Sequence, residues 1–442
     1  MKRLFLFIFL LMLLSVAIFA DGEKAIQMKQ NLEPISSFSM RIRSFFGIFV
    51  MLFLAFLLSF NKSEIWKRGK RVILGGLFLQ FIFAIIVMKI PIGIRIFKAL
   101  GDGVSKLLSF VNEGSKFVFG NLFGNGFSFA LNVLPTIIFF SAFMGVMYYL
   151  GIMQIIVKYM AKGISKVLGT SGAESLNATA NIFLGQTEAP LVIKPFINDM
   201  TKSEITAVMV GGFATVAGGV LAAYIGMGAD PTAIISASVM AAPGALVIAK
   251  IIYPETESPK SLGLVEMDVK SESSNIIDAA ARGASDGLML ALNVAAMLLA
   301  FIALIAFVNY GLQGVTGLFM DNPVSLQKLL GWIFSPIAYM MGIEWTDAQT
   351  VGSLLGEKLV INEFVAFTHL GPASQIISDR SIMITTFALT GFANFSSIAI
   401  QIGGIGSIAP KRKSDLAKLG LRAMLGGTIV ALINGSIAGL LM

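Results

Sequence analysis

Four polar places interrupt sequence that is otherwise apolar: Asn181 with the run Gly185-Gln186-Thr187-Glu188, Thr215, the pair Asn362-Glu363, and Asn394 with Ser396-Ser397. A carboxylate carried to the middle of a bilayer costs about 2.5 to 3.5 kcal/mol on insertion scales, so Glu188 and Glu363 in such surroundings need a compensating partner or a water-filled site. The alternative for each is pairing with a neighbouring helix during assembly. Amides, hydroxyls and carboxylates make up these places, and no basic group is read at the same depth. That set suits a neutral polyhydroxylated ligand better than an anion: an amide such as Gln186 pairs donor to acceptor with a planar polar edge, and a carboxylate such as Glu363 accepts from two adjacent hydroxyls. Catalysis is disfavoured, because the chain has no cysteine and one histidine, which leaves no thiol nucleophile and no His-rich metal cluster.

The elements that carry these residues are apolar helices. The chain has 442 residues, 56% hydrophobic and 13% charged, well below the roughly 25% charged residues of soluble domains. The runs Phe117 to Val157, Ile205 to Ala229, Gly287 to Met320, Ser381 to Pro410 and Ala423 to Met442 contain no Asp, Glu, Lys or Arg. Helices of this length cross about 30 Å of hydrocarbon. The formal charge of +8 comes from cations in short loops and not on one amphipathic face, which argues against nucleic acid and for membrane orientation. Lys62, Lys67, Arg68, Lys70 and Arg71 form one such loop and Lys411, Arg412 and Lys413 another; both read as cytoplasmic. Residues 1–20 read as a cleaved signal peptide or a retained anchor helix, and either leaves Asp21 to Arg43 outside.

Spans are expected near 45–61, 72–92, 127–151, 204–228, 232–252, 288–312, 380–406 and 418–441, with amphipathic interfacial stretches at Arg95 to Lys116 and Ile152 to Leu168. Ser171 to Met200 and Leu326 to Gly371 mix Gly, Asn, Pro and an acidic residue with apolar runs of about 10 residues, too short to cross, and read as re-entrant hairpins. Gly212-Phe213-Ala214-Thr215 recurs as Gly391-Phe392-Ala393-Asn394, and the offset of 179 (391 minus 212) also aligns Ile205-Thr206 with Ile384-Thr385 and Pro231 with Pro410. Each half then reads hairpin, polar-interrupted helix, helix, and the two halves run in opposite senses. Inverted repeats with broken helices are the architecture of secondary transporters. Gly185 and Gly218-Gly219 permit local unwinding, which exposes carbonyls to a cation and N–H groups to a polar ligand. The only histidine, His369, reads as an interfacial residue rather than a proton relay.

Asn181-Ile-Phe-Leu-Gly185-Gln186-Thr187-Glu188-Ala189-Pro190-Leu191, Asn362-Glu363-Phe364-Val365-Ala366 and Gly391-Phe392-Ala393-Asn394-Phe395-Ser396-Ser397 resemble the signature stretches of the concentrative nucleoside transporters, over about residues 44 to 442. The resemblance implies an all-α fold of about eight core helices and two opposed hairpins. It also implies a homotrimer in the inner membrane, with nucleoside as substrate, an elevator movement, and sodium as coupling ion with no organic cofactor. Carried over by position, it makes Gln186, Thr187 and Glu188 nucleobase readers, gives the ribose to Glu363, Asn394 and Ser397, and makes Val220 and Phe392 apolar walls. Its sodium site falls on Asn181, Leu184, Thr215 and Val216. Thr215 stands where many members have Ser, which keeps the hydroxyl and adds a methyl.

The resulting organisation is scaffold helices over 44–151, a first transport half over 152–253, a polar loop and interfacial segment over 254–287, a scaffold helix over 288–325 and a second transport half over 326–442. Proton coupling, with Glu188 as the titrating group, is the alternative; a channel or an intramembrane enzyme stands further off.

Overall fold

A computed structural model describes residues 37–123, 128–263 and 273–442, all in helices and their connections. The segment read as a signal peptide or anchor lies outside the described residues. In chain order the helices are α1 (Ser37–Leu58), α2 (Ile65–Met88), α3 (Pro91–Phe119), α4 (Leu134–Tyr149), α5 (Ile152–Leu168), α6 (Gly172–Ala180), α7 (Lys202–Ala214), α8 (Gly218–Gly226), α9 (Pro231–Ile252), α10 (Ile276–Thr316), α11 (Leu326–Met340), α12 (Trp345–Val360), α13 (Glu363–Ala373), α14 (Asp379–Leu389), α15 (Phe395–Ile408) and α16 (Lys413–Leu441). Among the described residues, seven helical stretches are long and apolar enough to cross a membrane. The span expected near 380–406 is broken at Thr390 to Asn394 into α14 and α15.

The first hairpin is α6, a turn over residues 181–188 and the single-turn helices Ala189–Val192 and Lys194–Ile197. Its base is fixed by two capping boxes that the sequence spells as Ser-x-x-Glu and Thr-x-x-Glu. Ser171 N–H donates to Glu174 Oε1 at 2.8 Å, and Thr201 N–H donates to Glu204 Oε2 at 2.8 Å. Ser171 Oγ then donates to Glu204 Oε1 at 2.6 Å, and the buried Lys250 of α9 pairs with Glu174 at 2.7 Å and Glu255 at 3.5 Å. Two helix starts and one lysine thus hold three carboxylates at one end of the protein. At the other end, Ser378 caps α14 while its N–H donates to Asp347 Oδ2 at 3.0 Å, which ties the base of the second hairpin down in the same way.

The helix α16 shows that these ends are opposite. Arg412, just before it, donates to Ile197 O at the end of the first hairpin; Arg380, at the start of α14, donates to Gly439 O near the other end of α16. With 29 residues α16 is about 44 Å long, so the hairpins enter from opposite faces, and the inverted repeat is realised in three dimensions. Small residues make that rod possible. A Cβ on Gly427 would lie 2.4 Å from Phe213 Cβ, and one on Gly435 3.0 Å from Ile384 O, so α16 packs against both broken helices.

The second hairpin is shorter than the stretch from Leu326 to Gly371 suggested. Leu326–Met340 forms the separate helix α11, capped by Ser325 and ended at Gly342 in a left-handed conformation (φ +88°), and only α12 and α13 make the hairpin. Since α5 precedes the first hairpin as α11 precedes the second, the repeat includes an amphipathic helix in each half. α10 has 41 residues and begins at Ile276, inside the range 254–287 read as polar loop and interfacial segment; at about 60 Å it is twice the thickness of the hydrocarbon core. It packs chiefly along α4, whereas α1 packs on α16 and α2 on α9.

Candidate functional site

The break of the second hairpin puts Asn362 and Glu363 at the start of α13. Asn362 Oδ1 accepts from Val365 N–H at 3.0 Å, so Asn362 is a helix cap that delivers Glu363 into the first turn, where the helix dipole favours a carboxylate. Asn394 caps α15 in the same way, its Oδ1 accepting from Ser397 N–H at 2.8 Å, which leaves its Nδ2 free to donate to Glu363 Oε2 at 2.9 Å. Ser397 Oγ in turn accepts from Gln186 Nε2 of the first hairpin at 3.2 Å. Gln186 Oε1 accepts from Gln401 Nε2 at 3.1 Å, and the same nitrogen donates to Met209 O of α7 at 3.1 Å. Glu363, Asn394, Ser397, Gln186 and Gln401 therefore form one buried chain of polar groups that crosses from the second half to the first.

The two helix breaks meet beside it. Thr215 ends α7 in extended backbone, and its carbonyl accepts from Phe392 N–H at 3.2 Å. Gly391 lies at φ +123°, and a Cβ there would stand 2.9 Å from both Phe213 O and Ala214 O; only glycine lets the breaks touch. The repeated motif is placed differently in the two halves: Gly212-Phe213-Ala214 closes the last turn of α7, while Gly391-Phe392-Ala393 lies within the second break.

Two of the candidate cation residues, Asn181 and Thr215, meet around Gly211. Thr215 Oγ1 donates to Gly211 O at 2.8 Å, and a Cβ on Gly211 would stand 3.3 Å from Asn181 Nδ2. Asn181 Nδ2 donates to Asn177 O at 2.9 Å, while its Oδ1 is buried with no hydrogen-bond partner among the described residues. An orphaned carbonyl oxygen in a buried position is what a hard cation would satisfy, so this set fits sodium, which would draw oxygens together there. Leu184 lies in the hairpin turn and Val216, fully buried, in the break.

Other sequence-predicted residues stand apart from the polar chain. Glu188 Oε2 accepts from Gly185 N–H at 3.0 Å and lies within electrostatic reach of Tyr148 and Asp286, on α4 and α10, rather than of Glu363. Thr187 packs its methyl against Gly404 of α15, where a Cβ would come within 2.4 Å of it. Val220 is buried near the start of α8, and Phe392 is buried in the second break. Gly218 and Gly219, read as sites of unwinding, begin α8 and let it approach α4: a Cβ on Gly218 would stand 2.7 Å from Phe140 Cε1.

A basic group does lie at this depth, contrary to the sequence reading. Lys358 of α12 is buried, donates to Ala388 O at 2.8 Å and Thr390 O at 3.4 Å, and interacts electrostatically with Glu363. Adjacent to Glu357 near a helix end, it looks in sequence like half of a surface pair. Glu357 instead faces His369, whose Nδ1 is 2.9 Å from Glu357 Oε2, beside a hollow of about 500 Å³ also lined by Gln327, Gln349 and Ser353. Tyr224 was also not anticipated; stacked on Phe367 with ring centroids 4.3 Å apart, its hydroxyl lies toward Glu363 but outside hydrogen-bond geometry. Gln401, the polar residue of an apolar stretch, was visible by the criterion that singled out Gln186.

The comparisons agree with this architecture. Models for the N-terminus and C-terminus of Na+ dependent nucleoside transporters match residues 46–122 and 233–439, and a nucleoside recognition model matches residues 130–231. A Haemophilus influenzae protein described as an uncharacterized transporter is 46% identical over 409 residues, 90% of this chain and 97% of that one. Mouse sodium/nucleoside cotransporter 2 is 42% identical over 415 residues; the match spans 90% of this chain and 62% of the mouse protein. CNTnw in an inward-facing substrate-bound state is similar with a TM-score of 0.85 at 43% identity, covering 91% of this chain and 98% of that one. A CNTnw variant in an outward-facing state gives 0.87 at 42% identity, covering 92% and 99%. With its hairpins, crossed helix breaks and three family models in order along the chain, the protein belongs to the concentrative, Na+-dependent nucleoside transporter family, and is a multi-pass membrane transporter rather than an enzyme.

Proposed function

We propose that the protein imports nucleosides across the cytoplasmic membrane by symport with sodium, working as a homotrimer in which an elevator movement carries the transport halves past a scaffold. The observation that carries this reading is the pairing of a buried Asn181 Oδ1 that has no hydrogen-bond partner among the described residues, on a side chain that reaches Gly211 as Thr215 does, with a polar chain from Glu363 to Gln186 that ends on the neighbouring hairpin turn. Because Asn181, Gly185 and Gln186 belong to one turn, an ion that draws Asn181 toward Thr215 also sets the position of Gln186, which couples ion and substrate through a common element.

Glu363, Asn394 and Ser397 hold the ribose, with Glu363 accepting from its hydroxyls; Gln186, Thr187 and Glu188 read the base, and Phe392 and Val220 wall the site. Asn181 and Thr215 supply side-chain oxygens to sodium, and Leu184 and Val216 supply carbonyls. Helices α4 and α10, which pack along each other and leave Leu299, Phe307 and Tyr310 exposed, supply the scaffold side toward lipid and the other protomers.

The test is nucleoside binding to the purified full chain in sodium and in choline at two pH values. Sodium symport requires tighter binding in sodium at both pH values and weak competition by the free nucleobase. Binding that ignores sodium and follows pH would move the assignment to proton coupling, with Glu188 as the group to replace.

A further inference from the structure

The roles proposed above leave Lys358 without one, although the residue is buried at 2% exposure and a charge so placed is retained only against strong compensation. That compensation is specific. Its Nζ donates to the carbonyls of Ala388 and Thr390, at the C-terminal end of α14, where a helix leaves its last C=O groups unpaired and presents the negative end of its dipole. Its charge also acts on Glu363.

The first half contains the counterpart of this place. There the end of the first hairpin arm, α6, brings Asn181 to the C-terminal end of α7, where Thr215 begins the helix break; in the second half the last turn of the first arm, α12, brings Lys358 to the C-terminal end of α14, where Thr390 begins the break. One half leaves a buried oxygen, Asn181 Oδ1, without a hydrogen-bond partner among the described residues; the other delivers a positive charge to the buried carbonyls at a helix end.

We propose that Lys358 is a tethered cation occupying, in the second half, the position related by the inverted repeat to the coupling-ion site of the first, and that it stands in for a second monovalent ion. This inference rests on the sodium reading given above. With the ammonium gone, the carbonyls of Ala388 and Thr390 and the nearby Glu363 charge form a hard-oxygen site for sodium, so a substitution that empties the space converts one sodium site into two.

Thermal unfolding of the purified full chain, measured against sodium concentration with choline keeping ionic strength constant, counts bound ions through the slope of the midpoint against log sodium. Wild type gives a slope for one ion, which Thr215→Val displaces to about tenfold higher sodium. In the range between the two, Lys358→Ala should give about twice the wild-type slope, with about half of it surviving Thr215→Val, by the same linkage. An unchanged or smaller slope in Lys358→Ala overturns the proposal. If Lys358→Ala is unfolded in choline, restoration of folding by sodium is the same result in another form, and failure of sodium to restore it overturns the proposal. A wild-type chain with no sodium slope is a different failure: it removes the sodium reading itself, and the tethered cation with it.

Discussion

Replacing Glu363 with Gln separates the charge of the side chain from its shape. The carboxylate accepts from Asn394 Nδ2 at 2.9 Å through Oε2, which leaves its remaining lone pairs for the hydroxyls of a ribose. A hydrogen bond to a charged group contributes about 1.5 to 3 kcal/mol against about 1 for a neutral one. Losing that difference at one or two hydroxyls weakens binding by about 1.4 kcal/mol or more, which is at least about tenfold in Kd. The change also leaves the buried Lys358 ammonium without the carboxylate that it acts on, and this pushes in the same direction. The assay is calorimetric binding of a ribonucleoside and of its 2′- and 3′-deoxy analogues to wild type and Glu363→Gln in sodium. Wild type should discriminate against the deoxy analogues, and the variant should lose most of that discrimination, because the same contact is removed on either side of the cycle. Equal affinity in correctly inserted variant protein, with discrimination intact, would refute the assignment of Glu363 to the ribose.

Thr215→Val removes a hydroxyl at nearly constant volume, so the sodium concentration for half-maximal uptake should rise about tenfold while maximal uptake at saturating sodium is partly kept; an unchanged sodium dependence measured by isotope uptake counts against the cation site. Gly391→Ala places a methyl 2.9 Å from two carbonyl oxygens at φ +123°, and should cost about 2 kcal/mol or more of stability, read as a lower unfolding midpoint and lost uptake. Lys250→Met strands Glu174, Glu204 and Glu255 at the base of the first hairpin and should destabilise the protein by about 3 to 5 kcal/mol, seen as poor recovery of folded protein, whereas a wild-type midpoint would show that the cluster is not ionised as a unit.

Much of the fold was legible because lipid imposes simple rules. Charge-free runs placed α4, α7, α8, α10, α15 and α16, and the mixture of Gly, Asn and Pro with one acid marked both hairpins. The capping boxes at Ser171 and Thr201 follow a local code. What was hidden depends on partners far along the chain. The register of the second break could not be read from the motif: the same Gly-Phe-Ala closes a helix turn in α7 but lies in the break before α15, because Gly391 must pass against the carbonyls of Phe213 and Ala214. Lys358 was missed because its carbonyl acceptors lie 30 and 32 residues on, in another helix. Among the site residues, Asn394 could be recognised as polar within an apolar run, but not that capping α15 is what turns its amide toward Glu363. Glu188 shows the converse: its neighbours Gln186 and Thr187 face α15 while it faces α4 and α10, a difference of direction that a hairpin turn creates and sequence order conceals.

The most direct measurement is accumulation of labelled uridine and adenosine in sealed proteoliposomes under an imposed inward sodium gradient with no pH gradient. Sodium symport predicts that at least one nucleoside rises inside above its external concentration, decays when the sodium gradient is collapsed, and fails to accumulate when choline replaces sodium. Equilibration to the external concentration regardless of the sodium gradient, or accumulation driven only by a pH gradient, would contradict it.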